Sequence, residues 1–148
     1  MKSQSRFFTF AIIASITIFT LQIHAVALNG NNHIVPYHDN TNNCYVDISA
    51  EDNKAEVEIT YFGNSSTFLR ADISVKLQKR ILLAFWRDVN IGYTDNVWTD
   101  SSIFPNDTFS QSFAIDGTGY YRALITVKFY GTTGVVDTVE FTEEFNYN

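Results

Sequence analysis

The sequence has few of the residues that mark several common protein classes. One cysteine in 148 residues excludes an intramolecular disulfide framework and any metal site built from several cysteines. Two prolines and seven glycines exclude collagen-like chains and flexible linkers. Basic residues are outnumbered 10 to 16 by acidic ones, which argues against nucleic acid and anionic membrane surfaces as partners. The length leaves room for one domain.

Apolar and aromatic residues are plentiful. They make up 45% and 16% of the chain, so the chain is not intrinsically disordered. The lone cysteine, Cys44, stands in a segment where apolar and polar residues alternate, beside Val46 and Ile48. We expect its thiol to be buried, because free cysteine behaves as a small apolar side chain. No cofactor-binding pattern is present, and we predict no cofactor.

The first 27 residues have the three parts of a secretory signal. Lys2 and Arg6 precede an apolar run, Phe7–Ile23, and Ala25-Val26-Ala27 supplies the small residues that a signal peptidase reads. We predict cleavage after Ala27 and secretion; the alternative is an uncleaved anchor, since the run is near the lower length limit for spanning a bilayer. The chain from Leu28 has 121 residues, with 8 basic and 16 acidic side chains and a net charge of −8.

Apolar and polar side chains alternate over most of residues 44–148, which we predict to be a single domain. This period of two, with turn residues between the segments, predicts an all-β, immunoglobulin-like antiparallel β-sandwich of about seven to eight strands. A closed β-barrel is the alternative architecture. Residues 28–43, rich in asparagine, are predicted to be a flexible N-terminal arm. The inward positions are predicted at Cys44, Val46, Ile48, Ala55, Val57, Ile59, Tyr61, Leu69, Ala71, Ile73, Val75, Leu77, Phe109, Phe113, Ile115, Tyr121, Ala123, Ile125, Val127, Phe129, Val139 and Phe141.

Two aromatic residues are predicted to have structural roles. Tyr121 follows a glycine-rich turn and has the inward parity of its strand, so we expect its ring in the core and its hydroxyl bonded to the backbone of residues 116–119. Tyr120 should point outward. Trp86 ends a continuous apolar run, Ile81–Trp86, whose buried parity is ambiguous: the run fits a strand buried on both sides or one with an exposed aromatic face. We expect Trp86 to fill the core between the sheets.

The layout of these motifs resembles a family of proteins. Ile73-x-Val75-x-Leu77-Gln78-Lys79 is followed by Trp86, then by Gly119-Tyr120-Tyr121-Arg122-Ala123, then by Lys128-Phe129-Tyr130-Gly131. This order, behind a signal sequence, is similar to that of small secreted β-sandwich proteins of Gram-positive bacteria. The sequence departs from their pattern at Ile81-Leu82-Leu83, where they have small or polar residues. The resemblance implies a fold and an export route, and it carries over no catalytic residue.

The residues that catalysis or metal binding requires are scattered. His33 and His38 both lie in the predicted arm, where a general base would lack fixed orientation, so we predict no catalytic residue and no enzyme. A hydrolase remains the last alternative, with a carboxylate pair as in glycosidases. We predict no metal site, although two weak sets exist. The candidate carboxylates for the hydrolase are Glu56, Glu58 and Glu140. The candidate metal ligands are His33, His38 and Asp39 for a transition metal, and Asp95, Asp100 and Asp107 for calcium.

Aromatic residues in a loop-rich stretch are the candidate ligand-binding residues. Tyr93, Trp98 and Phe104 could hold a sugar ring or contact a protein. We predict a secreted binding or interaction module, with an extracellular protein as partner ahead of a glycan, and no nucleic acid or membrane partner beyond the signal. The net charge of −8 favours a basic protein through electrostatic steering. Self-assembly through edge strands is a third possibility, and the oligomeric state stays open.

Overall fold

A computed structural model describes residues 38–148; the predictions for the signal, its cleavage and residues 28–37 lie outside this range. Within it the one helical element is a three-residue 3-10 turn, Thr94–Asn96, and no helix has the length and hydropathy needed to cross a membrane. The strands are β1 (Thr41–Glu51), β2 (Lys54–Gly63), β3 (Phe68–Leu82), β4 (Phe85–Asp88), β5 (Trp98–Ser102), β6 (Asn106–Ala114), β7 (Gly119–Gly131) and β8 (Val136–Tyr147).

The strands form two antiparallel sheets. One has the order β1-β2-β6, and the other has the order β4-β3-β7-β8, with β5 pairing with the same edge of β3 as β4. These are the A-B-E and G-F-C-C′ orders of the immunoglobulin fold. The predicted all-β, immunoglobulin-like sandwich is therefore confirmed, and the alternative of a closed barrel is not what the chain forms.

Alternation along the strands builds the core. On β2, β3 and β7 every second side chain is buried between the sheets, and aromatic contacts join the two layers. The Tyr61 and Phe129 rings meet edge-on with centroids 5.3 Å apart, and Trp98 meets Phe113 in the same way at 6.0 Å. Such edge-to-face pairs add specific attraction to the burial of apolar area. Aromatic packing thus joins the sheets in a chain that has no disulfide.

The sandwich begins earlier than the sequence predicts. β1 starts at Thr41, and Asn40 is fully buried. The Asn40 backbone N–H donates to Asp137 Oδ2 at 2.6 Å, and Asn40 Nδ2 donates to the Val135 carbonyl oxygen at 2.9 Å. A Cβ at Gly131 would overlap Asn40 Oδ1, so glycine makes room for this side chain. Residues 40–43 therefore belong to the domain and not to a flexible arm, because buried hydrogen bonds tie them to the β7–β8 region.

The register of β3 shifts at two points. One shift lies between Phe68 and Arg70, and Leu69, predicted to point inward, is 52% exposed there. The other lies between Arg80 and Leu82, close to the β3–β4 turn. A register shift of one residue moves side chains to the opposite face of a sheet. Strict alternation therefore holds along the middle of β3 and fails at both of its ends.

Candidate functional site

Tyr121 fixes the turn that leads into β7. Its side chain is fully buried, and its hydroxyl lies 2.6 Å from the Gly117 carbonyl oxygen and 2.8 Å from that of Asp116, so it donates its proton to this pair. The Phe145 ring stacks on it at 5.5 Å, and the Lys79 ammonium lies 5.2 Å from its centroid while donating to the Asp116 carbonyl oxygen. This corner holds the start of β7, so the neighbouring outward residues have fixed positions.

Three neighbouring strands bring six side chains together on the outer face of the larger sheet. Tyr120 and Arg122 have the parity opposite to Tyr121 and therefore point outward. Pairing places Gln78 beside both Arg122 and Asp88, and places Arg80 beside Trp86. We call this surface the arginine–aromatic face. It consists of Gln78, Arg80, Trp86, Asp88, Tyr120 and Arg122.

A chain of hydrogen bonds orders the polar members of this face. Arg122 Nε donates to Gln78 Oε1 at 2.8 Å, and Gln78 Nε2 donates to Asp88 Oδ1 at 2.8 Å. The ammonium of Lys76 lies 2.8 Å from Asp88 Oδ2. These donors favour the ionised carboxylate, so the hydrogen bond from Lys76, followed by that from Gln78, lowers the pKa of Asp88. The Gln78 amide therefore orients Arg122, and its own position is fixed by its hydrogen bond to Asp88.

The two guanidinium groups lie over aromatic rings. Arg122 Cζ is 4.4 Å from the Trp86 ring centroid, and Arg80 Cζ is 4.2 Å from that of Tyr120 and 5.8 Å from that of Trp86. These distances fall within the range in which a cation is attracted to an aromatic face. Tyr120 is 51% exposed and Trp86 is half-buried, so the rings remain open to a ligand.

The expected place of Trp86 between the sheets requires correction. β4 is a short edge strand, and Trp86 pairs with Arg80, which points outward. Trp86 therefore lies on the outer face, which is the second of the two arrangements that the run Ile81–Trp86 allowed. A continuous apolar run has no alternation, so its pattern does not distinguish between the two arrangements.

The predicted ligand-binding aromatics do not form one platform. Trp98 is 7% exposed and faces inward, where it contacts Phe113. Tyr93 and Phe104 are 45% and 64% exposed, but they lie before and after β5. At a rise of about 3.3 Å per residue, the strand separates its two ends by more than the width of a sugar ring. The loop-rich stretch contains a strand, and that strand takes Trp98 into the core.

The candidate catalytic and metal-binding residues are also dispersed. Glu56 and Glu58 lie on the outer side of β2, and Glu140 lies on the outer side of β8, which belongs to the other sheet. Asp95, Asp100 and Asp107 stand on the 3-10 turn, β5 and β6. Across residues 38–148, which include His38 and Asp39, no three His, Cys, Asp or Glu side chains converge on a point where they could hold a metal ion.

Cys44 lies inside the sandwich. Its side chain is fully buried, and loss of solvation raises the pKa of the thiol to about 12. A thiol is nucleophilic as the thiolate, so this cysteine is chemically quiet at neutral pH.

A shallow groove of about 540 Å³ crosses the same outer face farther along β3. Its walls are β5 on one side and β7 on the other, and most of the side chains that line it are polar. Next to it Arg70 makes an ion pair with Asp72 at 2.9 Å and lies 4.3 Å from the Tyr130 ring centroid. We call it the polar groove. It is lined by Asp72, Ser74, Asp100, Thr126, Lys128 and Tyr130.

Sequence reasoning did not select most of the arginine–aromatic face. Its members lie in three segments, around Gln78, Trp86 and Arg122, and the register between strands brings them together. The available signal was the outward parity of Arg and Tyr beside the inward Tyr121. That signal identifies which side chains share a side of the sheet, but not which of them are neighbours.

Comparisons with known proteins identify neither a family nor a function for this chain. No family model matches the chain, and no curated protein matches it at a significant level. Among solved structures, wild-type OgpA from Akkermansia muciniphila is 14% identical over 76% of this chain, with a TM-score of 0.40. The match spans 32% of that protein, about a third of its length. A similarity of this size does not identify a function.

Proposed function

We propose that the protein is an exported, non-enzymatic binding module that recognises an extracellular protein through the arginine–aromatic face. The observation that carries this proposal is the ordered cluster of Trp86, Tyr120, Arg80 and Arg122. A few residues dominate the binding free energy at protein interfaces, and tryptophan, tyrosine and arginine are enriched among them. Because hydrogen bonds and ring contacts already hold these side chains, they lose little conformational entropy when a partner binds.

The charge of the face gives the kind of partner. Among residues 38–148, neither Arg80 nor Arg122 makes an ion pair with a carboxylate, and the carboxylate of Asp88 is neutralised by Lys76. Glu144 on β8 lies opposite Arg122, so the face and its two neighbours Lys76 and Glu144 contain three cations and two carboxylates, a small positive excess on a chain whose net charge is −8 after signal removal. It favours a partner with acidic groups around an apolar centre. The net charge alone favours a basic partner, but contact within an interface depends on the local charge.

Export and the absence of catalysis are parts of the same proposal. Export is supported by the predicted signal, residues 1–27, and by the resemblance to small secreted β-sandwich proteins of Gram-positive bacteria. The non-enzymatic role is supported by the sequence, in which both histidines after the signal precede the domain's first strand.

The test compares two similar pairs on one sheet. The protein that begins at Leu28 is immobilised and incubated with culture medium or with intact cells. A protein that it captures is then purified, and its affinity is measured by titration. Arg80→Ala with Trp86→Ala should weaken its binding about tenfold or more. The control is Arg70→Ala with Tyr130→Ala. It removes a similar cation–aromatic pair outside the arginine–aromatic face, at the opposite end of the same sheet, and should leave the affinity unchanged. Equal affinities for both double variants would contradict the proposal.

Carbohydrate binding is the second candidate, and the polar groove is the observation that favours it. Carboxylates of Asp72 and Asp100, the Lys128 ammonium and the Tyr130 ring surround a concave space, and such groups bind sugar hydroxyls and ring faces. A glycan array probed with wild type, Asp100→Ala and Trp86→Ala separates the two candidates. Glycan binding that Asp100→Ala abolishes and Trp86→Ala retains would select the carbohydrate function.

A further inference from the structure

The β3–β4 hairpin extends past the strand beside it. The last residue of β3 that pairs with β7 is Lys79, opposite Tyr121. β3 continues to Leu82 and β4 returns from Phe85, so beyond Lys79 the two strands pair only with each other, although Arg80 still contacts Tyr120 of β7. β7 runs two residues past Tyr121, to Gly119, so β3 outlasts it by one residue, about 3 Å, before the chain turns into β4. The hairpin tip is therefore a convex projection from the sandwich.

This tip exposes a run of large apolar side chains. Leu83 is 98% exposed, Leu82 66%, Phe85 64% and Ile81 48%. Contiguous apolar groups of this kind on a folded protein mark a surface that another body covers. Nothing in the core requires these four side chains, so their exposure is not a by-product of packing.

Positive charge surrounds the tip. Residues 79–87 contain Lys79, Arg80 and Arg87 and no acidic residue. Arg87 is exposed, and among residues 38–148 it makes no ion pair. The nearest acidic residue along β4, Asp88, is neutralised by Lys76 at 2.8 Å. Asp116 lines the same hollow as Lys79 and Arg87, so the four cations Lys76, Lys79, Arg80 and Arg87 face two carboxylates, those of Asp88 and Asp116, and the rim of the tip keeps a net positive charge.

A second exposed apolar pair shows that the rim is specific. Ile103 and Phe104, which follow β5, are 72% and 64% exposed. The nearest charged residues in the sequence on either side of them are Asp100 and Asp107. The two apolar surfaces therefore have flanks of opposite charge, and only the hairpin tip complements an anionic surface.

We propose that the β3–β4 hairpin docks the module on an anionic lipid bilayer, with Leu82, Leu83 and Phe85 among the acyl chains and Arg80 and Arg87 at the lipid phosphates. A convex apolar tip fits a bilayer, because lipid closes around it and no matching pocket is needed. Trp86 and Tyr120 stand next to the tip, at the depth where such rings prefer the interface. The net charge predicts no membrane partner, but screening limits its influence to about 10 Å, so the local cations decide.

This inference goes beyond the proposed function, and the two proposals share Arg80, Trp86 and Tyr120. The sequence leaves open whether the module acts at the cell surface or in the medium, and a bilayer-docking hairpin places it at the surface. The residues that enter the bilayer are not members of the arginine–aromatic face. Substitution of Leu82 and Leu83 therefore tests bilayer docking, whereas substitution of Arg80 and Trp86 tests protein binding, so the failure of one proposal is distinguishable from the failure of the other.

Vesicle flotation tests the docking directly. The protein that begins at Leu28 contains both sheets and every core residue of the sandwich, and it lacks the apolar signal that would itself bind lipid. It is mixed with vesicles of phosphatidylcholine alone or of phosphatidylcholine and phosphatidylglycerol in equal amounts. We expect flotation with the anionic vesicles and about tenfold or greater loss for Leu82→Ser with Leu83→Ser. Arg87→Glu should weaken flotation most at low salt.

The control is Ile103→Ser with Phe104→Ser, which removes a similarly exposed apolar pair and should float as wild type does. Far-ultraviolet circular dichroism and denaturation midpoints confirm that each variant is folded. Three outcomes would overturn the proposal: no flotation of wild type, equal loss in both double variants, or loss of a captured protein partner in the hairpin variant without any flotation of wild type. The last would assign the tip to protein docking.

Discussion

The two ends of the sandwich differ in what they bury. At the closed end, where Asn40 lies beneath the β7–β8 turn, a polar side chain is fully buried and donates to the Val135 carbonyl oxygen. At the hairpin end, apolar side chains such as Leu83 project into solvent. Buried polar groups that find partners specify a single packing, whereas exposed apolar groups add nothing to folding. The comparison teaches that the residues that stabilise the fold differ from those that we propose to bind a bilayer.

Behind the hairpin, the corner at Tyr121 should have the largest effect on stability. Tyr121→Ala should cost about 3–5 kcal/mol of unfolding free energy, because it leaves a cavity between the sheets. Tyr121→Phe should cost about 1–3 kcal/mol, because the carbonyls of Asp116 and Gly117 lose their donor. The measurement is urea denaturation. Tyr120→Phe is the control and should stay within about 0.5 kcal/mol of wild type; a more sensitive Tyr120 would contradict the register of β7.

At the closed end, Gly131→Ala sharpens the comparison. The added methyl group would overlap Asn40 Oδ1, so Asn40 must move and its hydrogen bonds must break. Overpacking of this kind costs about 1–3 kcal/mol, and the loss of buried hydrogen bonds puts the expected value near the upper limit. Thermal and urea denaturation measure it. Thr132→Ala, at the exposed neighbouring position, should be close to neutral, and equal costs for the two would remove the special role of Asn40.

The unfolding free energy should also decrease at alkaline pH, because two buried groups near the closed end ionise less readily in the fold than in the unfolded chain. Burial raises the pKa of Cys44 from 9.0 to about 12 and raises that of Tyr61, its partner across β1 and β2. Between the unfolded and folded pKa values the native thiol keeps a proton that the unfolded chain has lost, so stability is complete below about pH 9 and falls toward pH 12. The slope for Cys44 is at most about 1.4 kcal/mol per pH unit.

Urea denaturation of wild type and Cys44→Ala over this pH range isolates the contribution of the thiol. The variant is less stable near neutral pH, because it leaves a small cavity. Its stability should fall less steeply above about pH 9. Parallel pH profiles for the two proteins would show that the thiol ionises as readily in the fold as in the unfolded chain.

At the hairpin end, the smallest effect on stability is expected. Leu82→Ser with Leu83→Ser should change the unfolding free energy by no more than about 0.5 kcal/mol for each site, since both side chains are exposed. The same variant should lose vesicle binding, as described above. A large loss of stability would mean that the tip packs against the sandwich, and the contrast between the two ends would fail.

Alternation in the sequence was sufficient to predict the sandwich and its inward residues on β2 and β7. It was insufficient where alternation stops, around Ile81–Trp98, where the chain divides into β4, the 3-10 turn and β5. There the sequence favoured the core for Trp86, which lies on the outer face, and offered Trp98, which lies in the core, as a ligand-binding residue. The neighbouring strand decides which side of an edge strand is covered, and that neighbour is distant in the sequence.

Asn40 shows a second limit of sequence reasoning. Asparagine-rich segments are typical of loops, because the side chain competes with the backbone for hydrogen bonds. Here the same capacity lets Asn40 bind backbone groups of another part of the fold, so it behaves as a core residue. The partners, Phe129 and Val135, are about ninety residues away. Composition alone contains no information about a pairing at that separation.

The fluorescence of the two tryptophans reports on two different parts of the molecule, the core and the outer face of the larger sheet. Trp98 is buried against Phe113, so its emission reports the packing between the sheets. Trp86 lies beneath the guanidinium of Arg122 on the outer face. Iodide, an anion drawn to those arginines, should quench Trp86 more strongly than caesium does, while neither ion reaches Trp98. A ligand that covers the face would shield Trp86 from iodide and leave the emission of Trp98 unchanged.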